Sequence, residues 1–131
     1  MDSSAQAGAT PGEPTGQADL GALVEEWVDW AEAARRLGVT VSRVRTLIRD
    51  NQLAAAVPSP GAGQQVPAAF IQDGLLLKGL PGLVVMLSDH GYDHREIIEW
   101  LYTDLDLPGR PIDALVENRG SEVKRRAQAM H

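Results

Sequence analysis

Between Trp30 and Val57 the apolar positions change spacing in a way that marks two short helices and a turn. The stretch reads WAEAARRLGVTVSRVRTLIRDNQLAAAV. Ala31, Ala34 and Leu37 recur every three residues and give a first helix one apolar stripe. Gly38 breaks that pattern, and Thr40 follows as a cap whose hydroxyl can accept a first-turn N–H. In the next helix Val41, Val44, Leu47 and Ile48 fall on one face, with Ser42, Arg43, Arg45, Thr46 and Arg49 on the other. Asn51 can end it in a left-handed conformation. Two short helices around such a turn predict a helix-turn-helix, whose second helix usually enters the DNA major groove.

The pattern then shifts toward strands. Leu53–Val57 is apolar and reads as a strand, and residues 58–65, rich in Pro and Gly, read as a turn. Val66 opens a second short apolar segment. A hairpin directly after a helix-turn-helix is a wing. Its tip, SPGAGQQ, has no positive charge, so any DNA contact there rests on Ser59, Gln64, Gln65 or main-chain N–H groups. Leu75–Leu77 is read as a third strand returning to the wing.

Helical spacing resumes afterwards. Leu80–Ser88 reads as a helix with Pro81 in its first turn and Leu83, Val84 and Leu87 buried. Asp93 and Glu96 form a capping box for a helix that buries Ile97, Ile98 and Leu101. Arg110–Leu115 begins another helix, which Gly120 breaks. Ser121 is the expected cap of a last helix through Met130, with Val123 and Ala127 inward. Before the helix-turn-helix, Leu20, Leu23, Val24 and Trp27 fit a helical stripe or a partly extended segment. Asp29 is the expected cap of the first reading-unit helix, with Glu32 in capping-box register. The fold expected is mainly α with a small β wing: a winged helix-turn-helix at 20–78, then a helical region at 79–131 packed on it.

Residues 1–19 contain no apolar side chain larger than Ala after Met1. Such a stretch cannot repay its ordering entropy, so it is expected to be a disordered acidic tail. It carries accessible hydroxyls, and Thr10, before Pro11, is its candidate phosphorylation site. Phosphate there would add nearly two negative charges.

Charge sharpens the reading of the central helices. Residues 35–49 hold five arginines and no acid, in a chain of 131 residues with formal net charge −6. The excess is concentrated at the start: residues 1–26 carry net −5 and residues 27–131 net −1. The folded part is therefore nearly neutral, with a positive field at the predicted reading helix. Arg43, Arg45 and Arg49 stand where phosphate and base contacts are needed, and Thr40, Ser42 and Thr46 are the further candidate DNA-binding residues beside them.

Other chemistry finds little support. Cys is absent, which excludes disulfides and thiolate metal sites and fits a reducing compartment. His90 and His94 are four residues apart, but Gly91 and the Asp93 cap keep them off one helix face, so no metal site is expected. Asp104 and Asp106 lack a partner. Gly61-Ala62-Gly63 lacks the Lys and Ser/Thr of a phosphate loop. No catalytic set can be assembled, and neither an enzyme nor a cofactor is expected. No segment has the apolar length of a membrane span and the N-terminus lacks a signal-peptide pattern, so a cytoplasmic location is expected.

Together these residues carry a resemblance. Trp30–Val57 resembles the excisionase-like and MerR-like winged helix-turn-helix group. With LKGLPGL at 77–83, GYDHREIIEWLYT at 91–103, GRPIDAL at 109–115 and VKRRAQAM at 123–130, residues 27–131 resemble a small actinobacterial family of winged-helix DNA-binding regulators. The resemblance implies a transcriptional regulator of double-stranded DNA. It also implies a Ser/Thr protein kinase as partner, with Thr10 as the nearest counterpart of a tail acceptor. The phrase WLYTDLDLPGRPIDALVENRGSEV is similar to the helical domain of Xre-type antitoxins. That implies an alternative: a protein-interaction module whose C-terminal helices bind a partner or a second copy. An arginine face open to solvent favours DNA; the same face buried against the C-terminal helices favours interaction.

Overall fold

A computed structural model describes residues 20–103 and 109–130. The expected tail with Thr10, the Asp104 and Asp106 pair, and His131 lie outside the described residues. In chain order the elements are α1 (Leu20–Leu23), β1 (Trp27–Asp29), α2 (Trp30–Leu37), α3 (Val41–Arg49), β2 (Gln65–Pro67), a 3-10 turn (Ala68–Phe70), β3 (Ile71–Gln72) and β4 (Leu75–Leu76). Four helices follow: α4 (Leu80–Asp89), α5 (His94–Leu101), α6 (Pro111–Val116) and α7 (Gly120–Gln128). The fold is mainly helical, with a small β wing ahead of a C-terminal helical region.

Local chemistry fixes the helix-turn-helix. Asp29 Oδ1 accepts the Glu32 N–H at 2.8 Å and starts α2. The Glu32 side chain does not complete a capping box. It pairs instead with Arg35 and Arg36, because both guanidinium groups lie within one helical turn. Gly38, at φ 70°, closes α2 while the Val39 N–H reaches Ala34 O at 3.0 Å. Thr40 Oγ1 then accepts the Arg43 N–H at 3.0 Å and starts α3. Asn51 closes α3 at φ 60°, and the Gln52 N–H reaches Leu47 O at 2.8 Å.

Two details of the expected apolar faces change. On α2 the buried residues are Ala33 and Ala34, while Ala31 is exposed. With half-buried Trp30 and Leu37 they form an i, i+3, i+4, i+7 stripe, the usual shape of a core-facing helix. On α3 Val44 is fully buried and Leu47 and Ile48 are half-buried, but Val41 remains 40% exposed. It is the first residue of α3, beyond the reach of the core beneath Val44.

The strands also differ from expectation. Only Ala56 of the 53–57 segment makes a bridge, to Gln65, with N–H···O distances of 3.0 and 2.8 Å. Leu53, Ala54, Ala55 and Ala56 are all buried. This run threads the core rather than alternating between two faces as a half-buried strand would. The second partner of β2 is β1, paired antiparallel with Val28 opposite Val66. The residues before α2 thus complete the sheet at the base of the wing. Leu75–Leu76 does not return to the wing. It pairs with Ile71–Gln72 around Asp73 and Gly74, whose φ values of 54° and 80° suit a two-residue hairpin turn.

One continuous core joins these elements to the C-terminal helices, with Phe70, Leu53, Leu80, Ile97 and Ile112 among its fully buried side chains. The expected capping box of α5 is present: Glu96 N–H donates to Asp93 Oδ1 at 2.8 Å, and Asp93 N–H to Glu96 Oε1 at 2.9 Å. The last helix starts one residue before Ser121. Asn118, at φ 64°, closes α6, Arg119 occupies the cap position, and Ser121 is an exposed first-turn residue with no capping role.

Candidate nucleic-acid interface

The outer face of α3 is open. Ser42, Arg43, Arg45 and Arg49 are exposed, Thr46 is half-buried, and Val44 anchors the opposite face in the core. The five arginines of residues 35–49 do not have equal freedom. Arg35 and Arg36 are both committed to Glu32, with Arg36 Nε 2.8 Å from its carboxylate. Arg35 and then Arg36 hold the Glu32 carboxyl well below its usual range, at about 2. Arg49 lies 3.5 Å from Asp50, but both side chains are mostly exposed and such a pair is weak. No carboxylate pairs with Arg43 or Arg45 among the described residues. Arg45 lies over the Trp30 ring, 5.9 Å from its centroid, which holds it toward the start of α2.

Hydroxyls and wing amides occupy defined places. Thr40 is spent on the α3 cap, although its side chain is exposed. The Thr46 hydroxyl donates to Ser42 O at 3.1 Å, which leaves its lone pairs to accept. Gln64 is exposed in the loop before β2, as is Ser59 where the loop leaves the core. Gln65 is half-buried inside β2, opposite Asp29 and Ala56. Thus α3 gathers Ser42, Arg43, Arg45, Thr46 and Arg49 on one element, whereas Gln64 and Gln65 belong to the wing.

Two features of this surface were missed in the sequence. Val39 and Val41 remain 38% and 40% exposed around the start of α3, beside its polar face. The signal available was position: neither has a full turn of helix on its N-terminal side to bury it. The second feature is support from α5. His94 Nε2 and Asn51 Oδ1 are 2.8 Å apart at the end of α3, and Arg95 Nη1 donates to Val57 O at 3.3 Å at the base of the wing. Burial lowers the His94 pKa against an opposing contribution from Asp93. These contacts span 43 and 38 residues, and no local pattern encodes them. No group of three His, Cys, Asp or Glu residues able to hold a metal ion occurs among the described residues.

Comparison with known proteins decides the family. Residues 17–71 match the model described as "DNA-binding protein Rv2175c, wHTH domain", and residues 77–131 match "Rv2175c C-terminal domain of unknown function". "DNA-binding protein Rv2175c" of Mycobacterium tuberculosis (strain ATCC 25618 / H37Rv) is 37% identical over 120 residues, covering 81% of each chain. The chain belongs to the Rv2175c family. The structure of a family member, described as "NMR structure of Rv2175c", superposes with TM-score 0.73 at 33% identity, covering 94% of this chain and 97% of that one. The Rv2175c models meet in the short stretch between residues 71 and 77, where β3 and β4 form their hairpin.

Proposed function

We propose that this Rv2175c-family chain is a regulator that binds duplex DNA with the outer face of α3 in the major groove. The observation that supports it is the exposure of Arg43, Arg45 and Arg49 on a helix whose opposite face is anchored by Val44. That face is not covered by α4–α7, as the interaction reading required. The winged part, residues 20–78, carries the reading elements, and the helical part, residues 79–131, supports them through His94 and Arg95. DNA binding implies residence in the compartment that holds the chromosome, the cytoplasm.

Each residue has a role set by its place. Arg43 lies near the α3 N-terminus, the end that usually meets base edges, and its fork can bond two acceptors on guanine. Val41, exposed at the same end, matches the 5-methyl group of thymine. Arg45 over Trp30 and Arg49 at the last turn suit phosphates. Ser42 and Thr46 offer oxygens to bases or backbone. Thr40 acts by capping α3. Ser59, Gln64 and Gln65 give the wing only uncharged contacts. Selection from a genomic fragment library at defined salt tests the reading. Enrichment of related sequences supports it, and no retention of DNA at low salt rejects it.

A further inference from the structure

The C-terminal helices leave a cleft lined by none of the α3 or wing residues assigned to DNA. It measures about 800 Å3 and lies between α4 and the start of α7. On α4 its wall is Gly82, Val85, Met86 and Asp89, whose spacing places them on one helical face. Leu115 of α6 and Val123 of α7 line it from the other side. The Leu115 side chain lies beside the Gly79 and Gly120 backbones: a Cβ at Gly79 or Gly120 would stand 3.3 or 3.5 Å from its Cδ2. Val85 stays 36% exposed, an aliphatic side chain facing an open space rather than a neighbouring helix.

Size and charge together name the occupant. Sites for small molecules occupy roughly 300–1,000 Å3 and combine apolar walls with a few polar groups. Lys78 and Lys124 are exposed and line this cleft, and neither is paired with a carboxylate among the described residues. Asp89 is the one acid in the lining. Two cations against one anion, beside apolar walls, complement a molecule that is apolar along its body and negative at one end. We propose that this cleft binds a small organic anion, with a carboxylate- or phosphate-type head at Lys78 and Lys124 and an apolar body against Val85, Met86 and Leu115. Met suits such a wall because its unbranched side chain adapts to different shapes.

The test uses the full chain and 4-phenylbutyrate as probe, with 4-phenylbutan-1-ol as its uncharged counterpart and inorganic phosphate as a head without a body. Amide shifts are followed by NMR. The expected result is saturable shifts concentrated at Gly82, Val85, Met86, Gly120 and Lys124. The alcohol should bind about tenfold more weakly, the scale of a charge-assisted contact, and phosphate should move these amides little. In the double variant Lys78→Gln/Lys124→Gln the acid and the alcohol should bind alike. Gly82→Leu should fill the cleft and remove the shifts, since a Cβ there meets nothing within 4 Å. If that variant does not fold, the lysine variant carries the comparison. Shifts scattered over other basic residues, equal binding of acid and alcohol to the natural sequence, or no binding overturns the proposal. Shifts at the same amides that follow protein concentration without probe also overturn it, by assigning the cleft to a second copy of the chain.

Discussion

Replacing Arg110 by Met should destabilise the chain by about 2 kcal/mol at pH 7, and by clearly less at pH 3. Arg110 joins α6 to the segment ahead of β1 and to the end of α5. Its guanidinium makes a two-point contact with Asp113, Nε to Oδ2 and Nη2 to Oδ1, both at 3.0 Å. It also reaches Glu25 at 2.8 Å and lies 5.2 Å from the centroid of the Tyr102 ring. These contacts differ in worth. Glu25 is 68% exposed, so solvent screening leaves only a few tenths of a kcal/mol. The Asp113 fork, with side chains 26% and 39% exposed, contributes about 1 kcal/mol after the same discount. Stacking on Tyr102 adds about 0.5–1 kcal/mol. Met preserves most of the aliphatic stem, so the loss reports the guanidinium rather than packing.

The pH dependence follows from the two carboxyls. Hydrogen bonding to Arg110 is the largest cause holding both the Glu25 and Asp113 carboxyls below their ordinary values. A carboxyl lowered in the folded state contributes stability above its unfolded pKa and loses it as pH falls through the folded value. The ordinary values are 4.5 and 3.8, so the contribution is present at pH 7 and declines below about pH 4.5. Tyr102 does not titrate in this window; burial, its largest influence, pushes its pKa up. Urea unfolding of both proteins at pH 7 and pH 3 measures the difference. A loss of stability equal at the two pH values, or absent at pH 7, would refute the electrostatic reasoning.

Three further outcomes are expected. Thr40→Ala should cost about 1 kcal/mol of stability and increase hydrogen exchange at the Arg43 amide, while Thr40→Ser keeps both near normal; equal exchange in the two variants would show that the Thr40 hydroxyl does not protect this amide. Replacing thymine by uracil at a preferred site should weaken binding about fourfold where Val41 meets the methyl group, and Val41→Ala should abolish that difference. Fluorescence anisotropy reads this effect, and indifference of the natural protein to uracil at every position rejects the contact. Thr10→Glu should lower DNA affinity more at low salt than at moderate salt, with the fold unchanged; affinity losses independent of salt deny the tail an electrostatic role.

The helix-turn-helix was legible because its signals are local. Asp29, Gly38, Thr40 and Asn51 each act within a few residues, and the structure uses all four as punctuation. The same holds for the Asp93–Glu96 box. Strand pairing was harder. The Leu53–Val57 run lacks alternation, and β2 finds its partner at β1, nearly 40 residues earlier in the chain. The Asp73-Gly74 hairpin did carry a usable signal, an Asp-Gly pair between apolar residues, but Leu75–Leu77 alone drew the reading toward the wing. At the candidate interface the α3 arginine face could be read from period and charge. The grading among arginines could not, because Glu32 engages Arg35 and Arg36 through side-chain geometry and Arg45 meets Trp30 across the turn. Support of the end of α3 by His94 and of the wing base by Arg95 depends on tertiary packing alone.

The most direct measurement is affinity against salt concentration for the natural protein and the Arg43→Ala, Arg45→Ala and double variants, on a selected duplex and a scrambled one. Both side chains are exposed, so melting temperatures should stay near that of the natural protein. Arg43→Ala should cost roughly 1–3 kcal/mol on the selected duplex and relax the preference for one base pair. Arg45→Ala should weaken both duplexes alike and lower the salt slope by about one unit. Unchanged affinity in all three variants, with melting intact, would contradict the assignment of α3 as the reading helix.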